Sequence, residues 1–153
     1  MDFLNNIFCF NSSNFWSALS AIFTGIAALA IILARKQLRF DSWLQAQSLF
    51  TEETFLIARK EVYSLKGRDF KLWNDKEKEY AMLVCRKMDQ LAHLVPFLGK
   101  KRVLKTWDNP LAQSWMILKN FVINERGPNE ANWLEKWIAF EKIGEEAVKR
   151  IKK

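Results

Sequence analysis

"FWSALSAIFTGIAALAIILA", residues 15 to 34, decides how the rest of the chain is read. These twenty residues hold no charge, no Pro, no Asn and no Gln, and the hydroxyls of Ser17, Ser20 and Thr24 can bond back to a helix backbone. At about 1.5 Å rise per residue, such a helix covers about 30 Å, the thickness of a bilayer's hydrocarbon core. A helix inside a water-soluble domain seldom needs so long an apolar surface on every side, because one side normally meets water. The mean hydropathy of −0.16 is compatible with one span diluted by a charged remainder. The stretch therefore predicts a transmembrane helix bounded by Phe15 and Trp16 at one end and Ala34 at the other.

A cleaved signal peptide fits less well. Its charged leading region is missing, since Asp2 is the only charged side chain before Arg35, and the apolar run is long for a leader. The flanks also orient the span. Arg35, Lys36 and Arg39 follow it directly, whereas the fourteen residues before it contain no Lys or Arg. The positive-inside rule then puts the N-terminus outside and the C-terminal part in the cytoplasm. Arg35, Lys36 and Arg39 are the expected contacts with anionic lipid of the inner leaflet.

The expected organisation is a short non-cytoplasmic segment (1–14), the span (15–34), a basic juxtamembrane stalk helix (35–50) and a cytoplasmic helical bundle (51–153). Within the span, Ser17, Ala21 and Gly25 recur every four residues, with Ala28 three further on. Small-xxx-small stripes let two helices approach closely, so this face is a candidate for self-association. The alternative is that small residues are simply common in spans.

Beyond the stalk, one compact domain is all that the chain length allows. Residues 35–153 hold all 24 Lys and Arg and 16 of the 17 acids, a net charge of +8. Held at an inner leaflet, that balance reads first as attraction to anionic lipid and second as attraction to nucleic acid. Only "GKKRVLK" (99–105) and "KRIKK" (149–153) are dense in positive charge. Cys9 and Cys85 fall on opposite sides of the expected membrane and cannot pair within one chain.

The scarcity of Gly and Pro and the lack of alternating runs predict an all-α domain: four to five antiparallel helices following a single N-terminal transmembrane helix. Thr51 is the expected N-cap of a helix carrying Phe55, Ala58, Val62 and Leu65, and Gly67 its stop. Asn74 with Glu77 has capping-box spacing and opens a helix whose stripe is Tyr80, Val84, Met88, Leu91, Val95 and Leu98. Pro96 should kink that helix or end it near Val95. After Gly99 and a basic turn, Asn109-Pro110 should start the next helix, with Leu111, Trp115, Leu118 and Val122 facing inward. The last helix carries Trp133, Trp137, Phe140, Gly144, Ala147 and Ile151 as a seam, with Gly144 allowing a close approach.

Chemistry is hard to find. There is no H-E-x-x-H, C-x-x-C, G-x-S-x-G or phosphate-binding G-x-x-x-x-G-K-[ST] pattern. The single His93 has Asp89 four residues before it, but no nucleophile or metal-ligand set accompanies them; a polar surface cluster is the expected role. No catalytic, cofactor-binding or metal-binding residue is assigned. Trp115, Trp133 and Trp137 read as core, whereas Trp73 and Trp107, at loop edges, together with Lys100, Lys101 and Arg102, are candidates for partner contact.

"FWSALSAI", "ARKEVYSL", "VCRKMDQLAHLVPF", "NPLAQSW", "INERG" and "EKWIAFEKIG" together resemble a group of short bacterial proteins of unknown function. These have one N-terminal span and a helical cytoplasmic domain. The resemblance implies a bacterial inner-membrane location and supplies no activity. The functional expectation is a non-enzymatic, membrane-anchored interaction module for a cytoplasmic protein, or a homo-oligomer. The alternatives are a self-assembling membrane effector in stress or phage defence, and a membrane-tethered nucleic-acid-binding protein.

Overall fold

The computed structural model of the protein describes residues 12–125 and 137–152, with side chains from Phe15 onward. The described residues form five α-helices and one short 3-10 turn, so the all-α expectation holds. Helix α1 runs without interruption over Ser12–Thr51, α2 over Glu53–Ser64, α3 over Asp75–Leu98, α4 over Lys100–Glu125 and α5 over Ile138–Ile151; the 3-10 turn is Phe70–Leu72. The chain divides into two compact units, Met1–Phe40 and Asp41–Lys153.

In the first unit, α1 presents its apolar side chains outward on all sides. Phe15, Trp16, Ile22, Phe23, Ile26, Leu29, Ile31, Ile32 and Leu33 are each about half to two-thirds exposed.

In the second unit, α2 to α5 and the end of α1 enclose one core. Helices α4 and α5 pack most extensively; α3 packs on α2, α4 and α5. Most of the seam residues read from the sequence are buried, with Tyr80 and Val95 half-buried. Phe55, Ala58 and Val62 are buried on α2, Val84, Met88 and Leu91 on α3, Leu111, Trp115, Leu118 and Val122 on α4, and Phe140, Gly144 and Ala147 on α5. Gly144 makes the α4–α5 approach possible: a Cβ there would lie 2.8 Å from both Cβ and Cγ of Trp115. Ile151, at the end of that seam, is exposed, and Trp133 lies outside the described residues.

Several boundaries follow the sequence. The Asn74 side chain accepts from the Glu77 amide at 2.9 Å while the Glu77 carboxylate accepts from the Asn74 amide at 2.8 Å, a complete capping box. After α2 the chain turns through Gly67, whose φ of +84° suits a residue without a Cβ.

Three boundaries depart from expectation. Thr51 is not an N-cap: α1 runs through it, and its hydroxyl donates to the carbonyls of Gln47 and Ser48 in the preceding turn. The break falls at the extended Glu52 (φ −63°, ψ 123°). Pro96 neither ends nor interrupts α3 near Val95, because so close to the C-terminus its missing N–H costs one bond. The helix instead stops at Gly99 (φ +84°), whose amide donates to the Val95 carbonyl at 2.9 Å.

The basic segment expected as a turn is helical, forming the first two turns of α4; a kink then divides α4 into two helical segments, and the second begins next to Asn109-Pro110, close to the expected start. The irregular residue is Trp107 (φ −127°, ψ 18°), two positions earlier. Asn109 does not cap: its side-chain oxygen accepts from Gln113 Nε2 and its amide donates to Asp108 Oδ1.

Two carboxylates hold their protons less tightly than usual. The Asn74 amide, then the Arg68 guanidinium, lowers the pKa of Glu77 below the ordinary 4.5; hydrogen bonds from Lys87 and then Thr54 do the same for Glu52. A carboxyl with a lowered folded-state pKa contributes stability that is complete above its unfolded value and is lost as pH falls through the folded one. The thermal midpoint should therefore decline on acidification below about pH 4.5, and Glu77→Gln should flatten that decline. An unchanged acid limb in the variant would remove Glu77 from the account.

Candidate functional site

The candidates for partner contact are the two loop-edge tryptophans and the basic run at 100–102, and the structure separates them. Trp73 is 3% exposed and Trp107 7%, so neither offers a face to a partner; both are core residues, which corrects that expectation. Trp73 stacks on Phe121 at 5.6 Å and Phe121 on Trp137 at 6.2 Å. The kink at Trp107 turns its ring inward between Trp43 (4.9 Å) and Phe50 (5.4 Å, nearly parallel).

These rings extend into a stack closed by cations at both ends. The Arg102 guanidinium carbon stands 4.3 Å from the Trp43 ring centre. At the other end Phe50 meets Phe55 edge-on at 5.7 Å, and Arg59 lies 5.6 to 6.0 Å from the rings of Phe50, Phe55 and Tyr63. The last three turns of α1 are thereby joined to α2 and to the first half of α4. Aromatic pairs of this kind contribute about 0.5–1.5 kcal/mol beyond their burial.

The basic run itself is on the surface. Lys100, Lys101, Arg102 and Lys105 are exposed within the first two turns of α4. Lys100 pairs with Glu146 of α5, and among the described residues no ion pair links Lys101, Arg102 or Lys105 to a carboxylate. Arg35, Lys36 and Arg39 are exposed on α1 in the other unit, as are Ser17, Ala21, Gly25 and Ala28. A Cβ at Gly25 would meet nothing within 4 Å, and Trp16, Ser17, Ser20, Ala21 and Thr24 line an open depression on that helix.

His93 is exposed, with Nε2 3.3 Å from Asp89 Oδ2. The other oxygen, Oδ1, accepts the amide of Phe140 at 3.0 Å. Phe140 lies in the first turn of α5, and Trp137, the residue preceding that helix, is left-handed (φ 61°) and makes no side-chain cap bond. Asp89 therefore caps α5 from α3, a role that sequence spacing does not reveal because the partner is 51 residues away. Asp89→Ala should cost about 1–2 kcal/mol, the usual price of a lost cap, while His93→Ala should change stability by less than about 0.5 kcal/mol. Equal losses in thermal unfolding would mean that the pair, and not the cap, matters.

Among the described residues, no three His, Cys, Asp or Glu side chains converge as a metal-binding group. The remaining depressions are open and lined by mixed charges, such as that formed by Leu104, Lys142, Glu145, Glu146, Lys149 and Arg150. No family model, no curated protein and no solved structure matches the chain. Among the described residues, one helix, within Phe15–Thr51, is long and apolar enough to cross a membrane.

Proposed function

We propose that this is a single-pass protein of a bacterial inner membrane, N-terminus outside, whose cytoplasmic bundle is a non-enzymatic module that holds or senses a protein partner beside the inner leaflet. One observation carries the anchoring: the apolar window of α1, of mean hydropathy 2.2, has none of its residues buried. The central helix of a soluble domain would be covered by neighbours, whereas these side chains need lipid. Arg35, Lys36 and Arg39 at one end set the direction. The interaction role is supported by the surface of a well-packed bundle, on which Lys101, Arg102 and Lys105 are exposed with no ion pair to a carboxylate among the described residues. Tethering raises the effective concentration of such a module for its partner without a new contact.

The test is extraction and labelling. The full-length protein should stay with membranes in alkaline carbonate, and Cys9 should react with a membrane-impermeant maleimide in intact spheroplasts. Release by carbonate would reject the anchor; labelling of Cys9 only after lysis would reject the orientation. The proteins co-isolated with it then identify the partner.

A second reading, a self-assembling membrane effector, is favoured by the open Ser17/Ala21/Gly25 face. It requires that Gly25→Ile reduce the native mass in mild detergent and abolish any loss of membrane potential on induction. An unchanged mass and an undisturbed potential would count against it. The nucleic-acid reading rests on the +8 charge of residues 35–153 alone and requires steeply salt-dependent binding.

A further inference from the structure

We infer that the corner between α3 and α4, formed by Phe97, Lys101, Arg102 and Lys105, is a docking surface for the anionic headgroups of the membrane, an inference that rests on the anchored reading above. Between Gly99 and Trp107 there are four cations and no acid, and only Lys100 is paired with a carboxylate among the described residues. Lys101, Arg102 and Lys105 thus concentrate positive charge in two turns of one helix. Phe97, two residues before the Gly99 turn, is 44% exposed and adds an apolar side chain to the same corner. Unpaired cations with an exposed apolar residue close in the chain are a composition of surfaces that settle at a lipid interface, where the charges meet phosphates.

Two observations favour lipid over nucleic acid. The first is the lack of successive stacking faces: proteins that hold single strands stack one base after another on exposed rings, whereas here Trp107 is buried, the Trp43 ring is occupied by Arg102 and Trp107, and Phe97 alone between residues 97 and 107 offers an exposed ring. The second is the corner's attachment. Arg102 is held over Trp43, which follows Ala34 by nine residues in the chain. A charge kept in place on a ring, without a neutralising carboxylate, remains available to a phosphate.

The experiment uses the full-length protein in nanodiscs of phosphatidylcholine alone, or with a third of the lipid replaced by phosphatidylglycerol. The acetylation rates of Lys101 and Lys105 are read by mass spectrometry against the exposed Lys119 in the same molecule. The corner predicts that Lys101 and Lys105 react about fivefold more slowly in the anionic discs, the factor corresponding to one basic side chain's attraction to such a surface, with Lys119 unchanged. High salt should restore the rate. Equal rates in discs that do carry the protein would overturn the docking surface and leave the anchor standing. Failure of the protein to enter discs at all would overturn both. Protection by single-stranded RNA in neutral discs, without protection by phosphatidylglycerol, would also overturn the inference and assign the corner to nucleic acid.

Discussion

Gly144→Val should destabilise the bundle by about 3 kcal/mol, at the upper end of what an overpacked core usually costs, and lower its thermal midpoint by about 10 °C. The reason is local. A Cβ at position 144 would stand 2.8 Å from Cβ and Cγ of Trp115, and the Cβ is fixed to the backbone of α4, so that no change of side-chain rotamer moves it away. Helices α4 and α5 must then separate, and Phe140, edge-on to Trp115 at 5.4 Å, moves with them. Valine adds two methyl groups beyond that first contact, so Gly144→Ala should fall between wild type and Gly144→Val. The control is Gly25→Ala, where the added Cβ meets nothing within 4 Å and bundle stability should be unchanged. Wild-type melting of Gly144→Val would mean that the two helices do not meet this closely.

Trp107→Ala should cost about 3–5 kcal/mol, the range for removing a large buried aromatic side chain. Its ring fills the space between Trp43 and Phe50, so the cavity would open where the last turns of α1 join α4. Trp107→Phe retains most of the filling and should lose less than half as much. Chemical denaturation of the full-length protein in detergent measures both. A loss below about 1 kcal/mol for Trp107→Ala would place the ring outside the core.

What the sequence discloses depends on the range of the interaction. Asn74 and Glu77 are three residues apart and cap each other, so their spacing is sufficient. Gly144 sits in a periodic seam, and the seam itself announces a close neighbour. Trp107 is different. Read alone, it borders an Asn-Pro start signal and looks like a loop residue; a helical segment does begin beside that signal, but Lys100 to Thr106 before it are helical too, and the kink at Trp107 between the two segments delivers its ring to Trp43 and Phe50. The start signal is local and legible; the burial of the ring is tertiary and is not. Thr51 fails as a cap for a local reason, since its hydroxyl is used by the preceding turn. The basic corner was visible as composition, but not the ring beneath Arg102, because residues 43 and 102 meet only in the fold.

The cap that Asp89 supplies to α5 bears on the order in which the chain folds. A helix of fourteen residues has little independent stability in water, and this one takes the acceptor for its first turn from a helix synthesised 51 residues earlier. Helix α5 therefore gains its full stabilisation only on a surface already built by α3 and α4, against which it makes most of its contacts. Its docking is expected to follow that of α3 and α4. Amide exchange should show α5 opening before α3, and Asp89→Ala should speed that opening while leaving the exchange of α3 itself unchanged.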